Sequence, residues 1–312
     1  MPAMEIRSIW ALSDGAAGNH KQAWALAQAI GAPQLLAATI ALLALDRWLA
    51  PQWRRARASG IRGLPAETLP DLVIGCGRRA AAVLDRLKAD HPALHTVQIL
   101  DPRVDPARFD LVLVPQHDLL RGDNVLLSLG ALHSIDASVL AQAKSQFAAL
   151  EAFAAPRQVF LLGASHRHAR WDWPQLKSAL EAAHGCGSVL ISTSRRTPAA
   201  LAARVARWSA THGAYCYTGA QDNNPYLGLL AWADAITVSP DSVTMLSEAC
   251  ATDAPVFLLD GARMDGKLAR LAAALQRMGR LGAAAGSIVP LRETAALAAE
   301  VRRRLLTPQN KV

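Results

Sequence analysis

The chain has 312 residues, 52% hydrophobic and 19% charged, a balance that excludes disordered, collagenous and coiled-coil chains and predicts about two cores at ~150 residues each. The formal net charge is +8, and 27 of the 33 basic residues are arginine. The guanidinium fork grips phosphate oxygens through paired bonds, so this excess points to phosphorylated ligands, nucleic acid or an anionic membrane surface, or else to a compositional bias towards Arg and Ala.

In chain order, the first half alternates apolar strands with helices. A strand is predicted over 5–12 and a helix over 19–30. The apolar run 35–45, broken by Thr39, is too short for the ~20 residues of a membrane span. A strand over 71–75 leads to a helix over 78–91, and further strands cover 96–100, 110–115 and 124–129. An amphipathic stretch over 136–149 ends at Ala154-Ala155-Pro156, where proline stops a helix and a domain boundary is predicted. The second half repeats the alternation, with strands over 158–162, 188–192, 214–218, 235–239 and 256–259. Helices over 174–183, 198–211, 242–251, 267–278 and 293–306 cover it. The prediction is therefore an α/β protein of two Rossmann-like, doubly wound parallel-sheet domains, 1–154 and 155–312, whose last helix packs back on the first. Their strand C-termini are expected to face one cleft.

Asp14-Gly15-Ala16-Ala17-Gly18-Asn19 follows the first strand. Its glycines suit a tight turn at a helix N-terminus, and Asp14 favours a hydroxyl-bearing ligand over a bare phosphate. Gly75-Cys76-Gly77-Arg78-Arg79 repeats the device with two guanidinium groups. Gln116-His117-Asp118 follows the 110–115 strand, where His117 fits a general base and Asp118 its orienting partner, or both belong to a polar loop network.

In the second half, Leu162-Gly163-Ala164-Ser165 lets ligand oxygens approach the main chain. Ser192-Thr193-Ser194-Arg195-Arg196-Thr197-Pro198 joins a strand to a helix, with Thr197 read as the cap and Pro198 as the first helical residue. Hydroxyls, two arginines and a helix N-terminus together suit a diphosphate. Asp241-Ser242-Val243-Thr244-Met245-Leu246-Ser247-Glu248 opens another helix. Asp241 or Ser242 is its cap, and Asp241, Met245 and Glu248 share one face, from which a carboxylate can accept the hydroxyls of a ribose. His166-Arg167-His168 lacks an acidic third ligand in sequence, and no metal is expected. Trp48, Trp53, Arg54, Arg55 and Arg57 suit either docking on anionic lipid or core packing of Trp48 with solvated arginines. Four cysteines without C-x-x-C spacing argue against a disulfide framework and a zinc site. The first residues lack a signal peptide's basic and apolar regions, so a cytoplasmic protein, peripheral to a membrane if the basic patch docks, is expected.

The Asp14 to Asn19 loop with Gln22, the residues Pro70 to Arg78, Phe109 to Val112 with Pro115 to Asp118, Ser192 to Pro198, Asn224-Pro225-Tyr226 and Asp241 to Glu248 resemble the family named after the plant mitochondrial fission factor "elongated mitochondria". That resemblance spans nearly the whole chain. It implies a GT-B-like architecture, with bacterial members treated as glycosyltransferases and the plant member as a recruiter of a dynamin-related GTPase. The second half is also similar to the donor domain of the GT-B enzyme that adds N-acetylglucosamine to the lipid-linked peptidoglycan precursor, which implies Glu248 as the ribose acceptor. Asn19 stands where that enzyme has His.

Taken together, these signals predict a metal-independent transferase with a nucleotide-diphosphate sugar as co-substrate and no resident cofactor. Donor contacts fall to Gly163, Ser165, Ser192, Ser194, Arg195, Arg196, Thr197, Asn224, Tyr226, Asp241, Ser242, Met245 and Glu248. Gly15, Gly18, Asn19, Gly75, Arg78, Arg79 and Gln116 face the acceptor, and His117, Asp118 and Asp14 are the catalytic candidates. A non-enzymatic adaptor for a protein or membrane is the alternative; nucleic-acid binding has basicity alone behind it.

Overall fold

The computed structural model describes residues 5–40, 61–62, 68–219, 223–282 and 288–306. The basic aromatic segment with Trp48, Trp53, Arg54, Arg55 and Arg57 lies outside the described residues. In chain order the elements are β1 (Ser8–Ser13), α1 (Ala17–Ile30), β2 (Gln34–Ile40), β3 (Ile61–Arg62), β4 (Leu72–Cys76), α2 (Arg78–Asp90), β5 (His95–Ile99), β6 (Leu111–Pro115) and β7 (Val125–Ser128). There follow α3 (Ala137–Gln146), β8 (Arg157–Leu162), β9 (Ala169–Arg170), α4 (Trp173–His184), β10 (Ser188–Thr193), α5 (Ala199–His212), β11 (Tyr215–Tyr217) and α6 (Tyr226–Trp232). The chain closes with β12 (Ala235–Val238), α7 (Val243–Cys250), β13 (Val256–Leu258), β14 (Arg263–Met264), α8 (Gly266–Arg277) and α9 (Thr294–Leu306).

Two compact units result, one formed by the chain up to Ser134 together with Glu293 onwards, the other by Ile135–Arg292. The division precedes the 154/155 boundary predicted above. A proline that stops a helix does not end a domain: α3 packs on α6, with Nε1 of Trp232 donating to the Lys144 carbonyl at 3.2 Å and the Lys144 ammonium 4.4 Å from the same ring. At the other end α9 leaves the second unit and packs on α1. The Glu293 carboxylate ahead of α9 accepts the backbone N–H of Leu129 at 2.9 Å.

The first unit's sheet runs β3-β2-β1-β4-β5-β6-β7. It is parallel except for β3, which pairs antiparallel with β2. Period-two alternation sorts its apolar residues onto two faces. Ile9, Ala11, Ile74, Val97 and Leu113 meet Leu26 and Ile30 of α1 and Val301 of α9; Trp10, Leu12, Val73 and Val112 meet Ala80 and Leu84 of α2. The second sheet runs β11-β10-β8-β12-β13, its strands all parallel. Phe160, Leu162, Val189 and Ile191 pack there against Leu176 and Leu180 of α4 and Val205 and Trp208 of α5. Each order reverses direction once, between β1 and β4 in the first sheet and between β8 and β12 in the second. Open α/β sheets bind ligands outside the strand C-termini at such a point.

Candidate functional site

Parallel pairing in the second unit sets Thr193 of β10 beside Leu162 of β8, and Val238 of β12 beside Leu161. The loops opening at Gly163, Ser194 and Ser239 therefore start side by side. The Gly163 N–H donates to Oγ of Ser239 at 2.7 Å, and that hydroxyl donates to Oδ1 of Asp241 at 2.6 Å. Nη2 of Arg196 donates to Oδ2 of the same carboxylate at 3.0 Å. A Cβ at position 163 would overlap the Asp241 carboxylate, so only glycine fits. A buried carboxylate is stable when charge and hydrogen bonds satisfy it, and both are supplied here. Ser239 was not among the sequence candidates; its signal is a hydroxyl at the last strand position before Pro240.

The Ser194 turn is clamped to β8. Ser194 donates its N–H to the Leu162 carbonyl at 2.8 Å, and Oγ1 of Thr197 lies 3.0 and 2.9 Å from the carbonyls of Leu162 and Gly163. Thr197 also accepts the Ser194 N–H at 3.0 Å. This corrects the predicted capping role: its one hydroxyl is used on β8, Pro198 holds the cap position, and α5 has no side-chain cap. Ser192 is buried within β10, which removes it from the turn's surface. Ser165 accepts the Trp171 N–H at 3.2 Å and ties its own loop. Arg195 is exposed. Arg196 is therefore a cation held by Asp241.

Ser242 caps α7, accepting the Met245 N–H at 3.2 Å; of the two residues read as its cap, the helix uses this one. Met245 is half-buried and Glu248 buried. Oε2 of Glu248 accepts the Tyr226 hydroxyl at 2.6 Å. Burial, and then the charge and hydrogen bond of Glu248, push the Tyr226 phenol well above its ordinary range. Asn224 accepts the Tyr226 N–H at 3.0 Å, turning the chain into α6. The far end of α7 is held by two arginines that sequence reasoning missed, for nothing local marks them. Nε of Arg280 donates to the Cys250 carbonyl and Nε of Arg292 to the Ala251 carbonyl, each at 3.0 Å. Arg280 is 1% exposed, and burial lowers its pKa. Both cations oppose the negative end of the helix dipole.

In the first unit the reversal sets Ser13 beside Cys76. Oδ1 of Asp14 accepts the Ala16 N–H at 3.1 Å and Nδ2 of Asn19 at 3.0 Å. Gly15 and Gly77 both take positive φ, +83° and +90°, and a Cβ on Gly77 would stand 2.6 Å from Nδ2 of Asn19. The two loops thus touch through Gly77, a residue not singled out as a candidate. Gly75, expected to face a ligand, lies inside β4, where a Cβ would stand 2.8 Å from Leu84 of α2. Gly18 lies in the first turn of α1, its carbonyl accepting from Gln22 at 3.3 Å. Arg78 and Arg79 are exposed on the first turn of α2, which lacks a side-chain cap. Burial, and then the nearby Asp14, raise the Cys76 thiol well above its ordinary range.

Gln116, His117 and Asp118 form one 3-10 turn after β6, with His117 buried. Two strands, β4 and β5, stand between β1 and β6. At ~4.8 Å per strand spacing, Asp14 and His117 start from backbones about 14 Å apart. The structure does not bring the three catalytic candidates together. His168 of the other unit contacts Oδ1 of Asp265 through Nδ1 at 2.5 Å. Among the described residues, no helix is long and apolar enough to cross a membrane.

Comparison with known proteins fits these observations. A sequence model described as mitochondrial fission ELM1 matches residues 17–305. The mitochondrial fission protein ELM1 of Arabidopsis thaliana is 31% identical, over 80% of this chain and 68% of that protein. An uncharacterized protein of Rickettsia prowazekii is 26% identical, over 80% and 82%. Among solved structures, Os79 from O. sativa in complex with UDP superposes with TM-score 0.56 at 10% identity, covering 96% of this chain and 94% of that one. A Listeria monocytogenes protein assigned as a UDP-N-acetylglucosamine 2-epimerase gives 0.53 at 10% identity, covering 96% and 97%. These likenesses establish the fold as GT-B-like.

Proposed function

The chain belongs to the mitochondrial fission ELM1 family, and from that membership and the geometry of its second unit we propose that it binds a nucleotide-diphosphate sugar there and transfers the sugar to an acceptor. The observation that carries this reading is Arg196, held by Asp241 at the reversal point beside exposed Arg195 and the uncapped start of α5. A cation whose position is fixed before the ligand arrives needs no reorganisation when a diphosphate departs. The N–H groups at the start of α5 add donors of the same sign. Glu248 serves the ribose, and the Gly163 turn, which the Asp241 carboxylate fills, serves to seat that carboxylate under Arg196.

The acceptor is assigned to the first unit, at Asp14, Gly15, Asn19, Arg78 and Arg79, where a carboxylate and two guanidinium groups suit a ligand with both a hydroxyl and a phosphate; a membrane-associated acceptor has that chemistry. His117 and Asp118 are the base and its partner. Arginines and helix N-termini neutralise the leaving diphosphate, so the activity is metal-independent.

The test is calorimetry with UDP-, GDP-, dTDP- and ADP-linked sugars in the presence of EDTA. One class should bind, and Arg195→Ala and Arg196→Ala should each weaken it about tenfold, the loss of one charge-assisted contact. Absence of binding across the four classes, or unchanged affinity in both variants, would overturn the proposal. A second reading, an adaptor that keeps the fold and uses its surface on a protein or membrane partner, is favoured by the cover that Tyr226 places on Glu248 and by the separation of Asp14 from His117. It predicts that none of the four nucleotide classes binds.

A further inference from the structure

A carboxylate that serves a ligand must present a lone pair the ligand can reach. Glu248 is 3% exposed, and the Tyr226 hydroxyl is already on its Oε2 at 2.6 Å. Both residues belong to the second unit and to elements at the C-terminal edge of its sheet: Glu248 on α7, which follows β12, and Tyr226 as the first residue of α6, which precedes it. The phenol is placed by its own backbone. Asn223 adopts a left-handed φ of 61°, Asn224 accepts the Tyr226 N–H at 3.0 Å, and Pro225 stands at the cap of α6. The ring is half-buried, the carboxylate beneath it buried.

We infer that Tyr226 is a specificity-determining residue of this site: its hydroxyl occupies on Glu248 the place of a ligand hydroxyl, so that only a ligand bringing a sugar hydroxyl of its own, as a nucleotide ribose does, exchanges for it. The inference rests on the nucleotide reading above. Exchange of one O–H donor for another leaves the buried carboxylate satisfied throughout. A ligand without such a hydroxyl either leaves Tyr226 in place on Oε2, or displaces it and forfeits that charge-assisted bond. The phenol thus costs the true ligand part of its affinity and denies the false one any foothold.

Affinities of UDP and 2′,3′-dideoxy-UDP are to be measured on the wild-type chain and on Tyr226→Phe. The variant removes the competing donor and keeps the ring. UDP should bind it roughly tenfold more tightly, because the Tyr226 hydroxyl no longer competes for Oε2 of Glu248, while the dideoxy analogue should be unchanged. A readout without that variant is the ring resonances of the three tyrosines in isotope-labelled wild-type protein, with Tyr215→Phe and Tyr217→Phe identifying the other two. The Tyr226 signal should move with UDP and stay with the analogue. If UDP binds the wild type, yet Tyr226→Phe leaves the preference between the two nucleotides as it was, or the Tyr226 signal responds equally to both, the inference is overturned and the nucleotide reading stands. If UDP and the other nucleotide classes all fail to bind the wild type, both fall.

Discussion

Arg196 and Asp241 share one ion pair in opposite surroundings: the carboxylate side chain has no exposed surface, whereas the guanidinium partner is 56% exposed. Loss of either partner therefore has unequal consequences. Arg196→Ala leaves a buried anion opposed by Ser239 alone, whereas Asp241→Asn removes the buried charge, keeps one carbonyl oxygen for Arg196 with its amide turned to the Ser239 hydroxyl, and leaves a solvated cation. Discounted for the exposure of the arginine, the first change should cost about 1–3 kcal/mol and the second less than about 1 kcal/mol. Urea unfolding of the two variants at neutral pH checks the order, and the reverse order would refute the assignment.

Gly163→Ala tests the close approach of β8 to that carboxylate. An added methyl group overlaps Asp241, and the loop must move or the Ser239 bridge must break. Overpacking of this kind costs about 1–3 kcal/mol. Thermal unfolding should show the loss, and a variant as stable as the wild type would mean that the loop yields freely.

Two carboxylates should give opposite pH signatures. Glu293 has its pKa raised by burial, against the lowering effect of the Leu129 and Gly130 N–H groups. Its folded form holds the proton to higher pH than the unfolded chain does, so its contribution is present at low pH and is lost as pH rises through the folded value. The stability of the wild type relative to Glu293→Gln should fall over that interval. Asp136, the cap of α3, is lowered by the Val139 N–H and the Ser138 hydroxyl. Its contribution is present above the ordinary aspartate range and is lost as pH falls through the lowered value. Relative to Asp136→Asn, the wild type should lose stability on acidification; pH-independent differences in both comparisons would contradict the assignments.

At the start of α4, Asp172 accepts the Gln175 N–H at 3.0 Å while Gln175 accepts the Asp172 N–H at 2.9 Å. Gln175 also donates to the Gly261 carbonyl at 2.7 Å. Asp172→Ala should cost about 1 kcal/mol. Gln175→Ala, which removes the reciprocal bond and the tie to the 261 loop, should cost at least as much. Chemical denaturation of both variants decides it.

The buried strands are legible because β4 and β6 are unbroken apolar runs, and β8 and β10 carry the apolar runs 159–162 and 189–191, each beside helices, a pattern that parallel sheets impose. β2 opens the 35–45 run, which was weighed only against a membrane span. The two-residue strands β3, β9 and β14 are too short to show a period, and the seven-residue α6 spans fewer than two turns. In the site, the convergence of the Gly163, Ser194 and Asp241 loops followed from strand ends alone. The Ser239 bridge did not, because it depends on the register that pairs Leu161 with Val238. Thr197 was misread for a similar reason: a hydroxyl beside a helix start is a cap in sequence, and only the neighbouring β8 carbonyls reveal its other use. The Tyr226 contact with Glu248 joins residues whose spacing carries no local signal.

The return of α9 to α1 sets an order of manufacture. The segment translated first completes its packing last, since Ala298 and Val301 join the layer built on Ile9, Leu26 and Ile74 only after the whole of the intervening unit has left the ribosome. A nascent chain thus carries an unfinished first sheet, with one hydrophobic face short of its final helix.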